Sequence, residues 1–140
     1  APLLNHFAAW KDAEVKSFLA SEVRVVNKTL GYAGTVDCIY EAKDGRVVLG
    51  DFKTSSGFYP NYLLQCSAYL MALNSSKYEP AIKAVKCIRF PKDGSQYEVK
   101  VYSEAEIHRG CEAYTCYLRA YYLTAKRRLK NNPIIKEIWG

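Results

Sequence analysis

The residues of this chain that could do chemistry fall in two short runs, Gly34-Thr35-Val36-Asp37 and Gly50-Asp51-Phe52-Lys53-Thr54. Two carboxylates and an ammonium at one spot could hold a divalent cation, a water molecule and a phosphodiester side by side. Val47-Val48-Leu49 leads into the second run as a short apolar stretch and reads as a buried strand. Side chains alternate along a strand, so Asp51 and Lys53 project from one face, about 7 Å apart along the chain. Asp37 sits toward the end of a similar run, residues 35–40. Lys43-Asp44-Gly45 separates the runs, and Asp-Gly between apolar stretches is a strong hairpin signal. Closing that hairpin brings Asp37 close to Asp51, with the strands antiparallel.

The elements around these runs must hold them in place. Phe7, Trp10, Val15, Phe18 and Leu19 recur near helical spacing, so residues 4–20 are predicted to form an amphipathic helix. Glu22-Val23-Arg24-Val25-Val26 changes to a strand pattern. Ser55-Ser56-Gly57 ends the strand that carries Lys53, and residues 59–74 read as a helix with Pro60 in its first turn, where a missing N–H is harmless. Residues 84–90 and 96–102 read as two more strands around the Lys92-Asp93-Gly94 turn. Ser103 and Glu106 form a capping box opening a long helix to about Lys130, where Asn131-Asn132-Pro133 stops it. The prediction is an α/β domain with a mixed central sheet of about five strands flanked by helices.

Composition narrows the class of protein. The 140 residues suit one domain, and a 49% hydrophobic content argues against disorder. No apolar run approaches a membrane span and no secretory leader precedes the first helix, which points to an intracellular location. Ala1 leaves open a processed end or a fragment of a larger chain. Five cysteines without repeated close spacing do not make a disulfide framework, and most read as small core residues. Twenty basic against fourteen acidic residues give a net charge of +6, which favours polyanionic partners.

Gly34-x-x-Asp37, then Asp51-x-Lys53, then Gln65-x-x-x-Tyr69, in that order, resembles the RecB-like branch of the PD-(D/E)XK nuclease superfamily. The resemblance covers residues 22–73. It implies a restriction-endonuclease-like core over residues 1–140 and a Mg²⁺- or Mn²⁺-dependent nuclease that hydrolyses DNA. Exonuclease or end-processing work, as in phage and repair relatives, would leave a 5′-phosphate. The implied location is with DNA, in a host cytoplasm if the source is viral. Asp37 and Asp51 would be the metal ligands, with the main-chain carbonyl of Phe52 completing the site. Lys53 would orient the attacking water and stabilise charge on the phosphate. Gln65 and Tyr69, four apart on one helix face, would contact substrate or support the lysine. Glu22 would border the site, and Thr54, Ser55 and Ser56 could hold a phosphate at the strand exit.

Some family features differ. Relatives with an iron–sulfur cluster use one early and three late cysteines; the late triplet is missing, so no cluster is expected. Many relatives place a metal-ligand histidine on an upstream helix in a Gly-Thr context, which His6 lacks. His108 reads as a helix-surface residue. Lys126, Arg127, Arg128 and Lys130 follow tyrosines 114, 117, 121 and 122; the cations could grip a backbone, while the tyrosines read as mostly core. The rival to an enzyme is a non-catalytic module of the same fold that holds nucleic acid within a larger assembly. Against it, two close acids repel a phosphate unless a cation lies between them.

Overall fold

A computed structural model describes residues 2–125. The element order is α1 (Pro2–Glu14), β1 (Val15–Asn27), β2 (Tyr32–Ala42), β3 (Val47–Lys53), α2 (Pro60–Ser75), β4 (Ala84–Arg89), β5 (Glu98–Tyr102) and α3 (Glu104–Thr124). The five strands form one sheet in chain order. Among the described residues only the β3–β4 pair is parallel, with α2 as its crossover; the other three pairs are antiparallel. The chain is thus α/β, a mixed sheet with helices on both faces.

The predicted hairpin forms as the turn chemistry requires. Ala42 N–H donates to Arg46 O at 2.9 Å, and the Asp44 carboxylate accepts from Arg46 N–H at 3.0 Å. The capping box closes in both directions, Glu106 N–H to Ser103 Oγ and Ser103 N–H to Glu106 Oε1, each at 3.1 Å. The first helix is shorter than predicted. It stops at Glu14, and Val15, Phe18 and Leu19 belong to a thirteen-residue edge strand. Register shifts between Val15 and Ser17 and between Phe18 and Ala20 break the alternation that would have marked it as a strand.

Two apolar clusters lie on opposite faces of the sheet. On one, α2 contributes Cys66, Ala72 and Leu73 against Val36, Ile39, Leu49 and Val85. On the other, α1 inserts Trp10, fully buried, among Phe52, Tyr40 and Phe90. The Trp10 ring centroid lies 5.3 Å from that of Phe52 and 5.4 Å from that of Tyr40, both edge-on, an arrangement worth about 1 kcal/mol per pair beyond burial. Gly110 lets α3 close on α2: a methyl group there would collide with the Ser67 side chain.

Candidate active site

The site grows from the point where the β2–β3 ladder ends. Paired residues run from Glu41↔Val47 to Cys38↔Gly50. One step further, Phe52 N–H has no strand carbonyl opposite and donates instead to Asp37 Oδ2 at 2.7 Å. The Asp37 side chain thereby replaces a ladder bond and is fixed beside β3. The β2 backbone also turns over here. Val36 packs with the α2 cluster, whereas Cys38 packs with the α1 cluster, although alternation would give them one face. Across from this irregularity, Glu22 has φ 50°.

Asp51 and Lys53 share the face covered by α2, as their spacing requires. Asp51 is 3% exposed, and its Oδ2, cut off from solvent, accepts no hydrogen bond. Lys53 Nζ stands 3.2 Å from that oxygen, at ion-pair distance but off the angle of a hydrogen bond. The ammonium donates to Gln65 Oε1 at 2.7 Å and lies 4.7 Å from the centroid of the Tyr62 ring. Gln65 Nε2 in turn donates to Tyr69 Oη at 2.9 Å. The Tyr69 ring rests against Gly34. The three sequence motifs are therefore one physical chain: Asp51, Lys53, Gln65, Tyr69, Gly34.

Burial pushes the Asp51 carboxyl up to about 6, with Lys53 opposing the shift and Asp37 adding to it. It is ionised at neutral pH, at a cost that a bound cation would offset. Burial, with the two acids adding, pushes Tyr69 up to about 12, so its hydroxyl is a neutral donor or acceptor. Burial first, then Asp51, raises the nearby Cys87 thiol to about 12, with Lys53 opposing, so the thiol is protonated at neutral pH.

The oxygens at this point suit a small hard cation. Asp37 and Asp51 supply carboxylates, and the buried Asp51 Oδ2 has the Lys53 ammonium at 3.2 Å but no well-aligned hydrogen bond. Among the described residues no group of three or more His, Cys, Asp or Glu converges. Two carboxylates are nevertheless a sufficient protein contribution for Mg²⁺, which keeps several waters.

The remaining predicted site residues are placed as follows. Glu22 is exposed, and its carboxylate does not join the two aspartates in a three-acid group. Thr54 is exposed at the strand exit. Ser55 Oγ donates to Gly57 O at 2.9 Å and accepts from Tyr62 Oη at 2.7 Å. Thr54, Ser55 and Ser56 line a polar cavity of about 460 Å³ with Arg89 and Lys92. His6 bonds Gly94 O at 2.9 Å through Nε2, which ties α1 to the β4–β5 turn rather than to the aspartates. His108 is exposed, 3.9 Å from Glu112. The reading of the last tyrosines as mostly core is corrected: Tyr122 is buried, whereas Tyr117 and Tyr121 are 58% and 38% exposed. Residues 126–130, with their four cations, lie outside the described residues.

Arg89 was not singled out in the sequence. It pairs with Lys53 in the parallel register, donates to Ser55 O at 2.9 Å, and forms an ion pair with Glu98. A second cation, three residues after Lys86, at the end of the Ala84–Arg89 strand was its only mark. Tyr62, under the lysine, carried none.

No family model matches the chain, and no curated protein matches it. Among solved structures, one titled "Crystal structure of SSO0001" is 19% identical with a TM-score of 0.40, over 83% of this chain and 57% of that one. The chain thus spans little more than half the length of that protein. Among the described residues, no helix is long and apolar enough to cross a membrane.

Proposed function

We propose that this chain is a metal-dependent nuclease with a PD-(D/E)XK-like core, hydrolysing DNA phosphodiester bonds as an exonuclease or end-processing enzyme. The observation that carries the reading is the convergence of Asp37, Asp51 and Lys53, with the lysine held by Gln65 at 2.7 Å. Asp37, Asp51 and the Phe52 carbonyl would hold Mg²⁺ or Mn²⁺. That ion, when bound, supplies Lewis acidity toward water and a phosphate oxygen.

The chain's own groups do the rest. Asp37 is fixed by the Phe52 amide, so its position does not depend on a ligand. Lys53 donates to Gln65 from one side and keeps further N–H bonds for a water molecule or a phosphate oxygen. The water oxygen forms a bond to phosphorus as the P–O3′ bond breaks in line. The proton leaves the water and the departing oxygen is protonated, giving a 5′-phosphate and a 3′-hydroxyl. Lys53, at 19% side-chain exposure, meets the charge growing on the phosphate in a poorly hydrated setting, where an ammonium acts most strongly.

The rival, a binding module of the same fold, draws on the gathering of only two carboxylates among the described residues. The test is cleavage of end-labelled single- and double-stranded DNA with Mg²⁺ or Mn²⁺ by wild type, Asp51→Ala and Lys53→Ala. Cleavage abolished by both substitutions is expected. Binding without cleavage in either metal, unchanged by the substitutions, would give the protein to the rival.

A further inference from the structure

Next to the site, and lined by neither aspartate nor Lys53, is a cleft of about 390 Å³ between β2 and the two helices α2 and α3. Gln65 and Tyr69 line its inner end, so it is continuous with the network that holds Lys53. A second cavity, of about 220 Å³, extends it along α3 to Tyr121 and Tyr122. Tyr32, Ala33, Tyr114 and Tyr117 line both. The result is one groove leading away from the carboxylates.

Its walls have an unusual chemistry for a protein with a net charge of +6. Among the described residues no charged side chain lines either cavity. Three tyrosines run in sequence along it: Tyr32 lies 5.0 Å from Tyr114, centroid to centroid, and Tyr114 lies 6.0 Å from Tyr117. Tyr32 is pinned by its hydroxyl to Ala68 O at 2.7 Å, so this end of the row is rigid. Tyr117, at 58% exposure, offers ring surface to an incoming group.

We infer that this groove takes an unpaired DNA strand, stacking its bases on the tyrosines and leading its backbone to the Asp51–Lys53 site. The inference rests on the nuclease reading for what happens at that end. A duplex turns its phosphates outward and hides its bases, so it offers the tyrosine rings no π face. A single strand presents π faces, which aromatic walls hold whatever the sequence. The overall positive charge draws the strand in from a distance, while the uncharged groove discriminates by base exposure. Tyrosine hydroxyls add hydrogen-bonding partners for base edges without the repulsion an acid would bring.

The test is equilibrium binding, by fluorescence anisotropy in EDTA, of three labelled DNAs of equal length: a single strand, a duplex, and a single strand whose central nucleotides are abasic. Wild type is expected to bind the base-bearing strand about tenfold or more tighter than the abasic one. Tyr117→Ala should erase most of that ratio and Tyr117→Phe should keep it, both folding normally because the residue is largely exposed. Equal affinity for the two single strands, or a ratio that Tyr117→Ala leaves unchanged, overturns the inference even if wild type cleaves DNA. Base-dependent binding by a wild type that cleaves nothing supports the groove and removes the nuclease reading instead.

Discussion

Gly34 and Tyr69 meet so closely across the β2–α2 interface that a methyl group on Gly34 would stand 2.7 Å from Tyr69 Cε1. The glycine and the tyrosine are the outer members of two separate sequence motifs, and this contact joins them. Gly34→Ala must move the ring, and with it the hydroxyl that Gln65 bonds at 2.9 Å. Cleavage should fall by about tenfold, because small displacements of positioning groups are costly. Gly34→Ala and Tyr69→Ala should be non-additive, since one acts through the other; additive losses in a double-mutant cycle would show that the contact has no bearing on activity.

Asp51 gives a pH signature that needs no substrate. Its carboxyl is raised from 3.8 to about 6 in the fold. Between those values the folded protein holds the proton more tightly than the unfolded chain does. Its contribution to stability therefore declines as pH rises from about 4 to about 6 and is level above that. Without divalent cations, the urea midpoint of wild type should drop relative to that of Asp51→Asn over this window. Added Mg²⁺ or Mn²⁺ at pH 7.5 should raise the wild-type midpoint alone, by binding only the folded state. Parallel curves for the two proteins would contradict the burial argument.

Gln65 accepts the Lys53 hydrogen bond, and on the proposed nuclease reading it positions the lysine. Gln65→Leu keeps the volume but leaves Lys53 Nζ without its 2.7 Å acceptor. The expected result is a kcat lowered by about ten- to a hundredfold with KM for DNA little changed, as for a misplaced catalytic group. A rise in KM alone would make Gln65 a simple DNA contact.

His6 separates the resemblance from the structure. Its bond to Gly94 O is a strut between α1 and the β4–β5 turn. His6→Ala should cost about 1 kcal/mol of stability and leave the cation-induced stabilisation intact. A weakened response to Mn²⁺ would mean that the histidine reaches the metal.

Much of the site could be read from the chain because it is built from neighbours in sequence. Asp37 meets Asp51 through one tight turn, and Gln65 meets Tyr69 through one turn of helix. What escaped the reading depends on distant pairing. Arg89 lies beside Lys53 only because β4 runs parallel to β3, which no local pattern reveals. Val15, Phe18 and Leu19 suit a helical period as well as a strand, and two register shifts in an exposed edge strand erased the alternation that would have decided between them. The α3 tyrosines have helical spacing, but α3 packs chiefly against α2 and leaves Tyr117 and Tyr121 half open.

The parallel pairing of β3 and β4 sends both strands out at the same edge, where Phe90 N–H donates to Lys53 O at 2.7 Å. Between the residues that still pack on the cores, Phe58, Phe90 and Tyr97, residues 54–57 and 92–96 lie beyond the last strand bond and belong to neither core cluster. Added residues in such segments cost little in closure entropy. An insertion after Ser56 or within 92–95 would thus reshape what the molecule grasps while Asp37, Asp51 and Lys53 stay where the strands put them. In this architecture the loops can change length without disturbing the strands that carry the three charged residues.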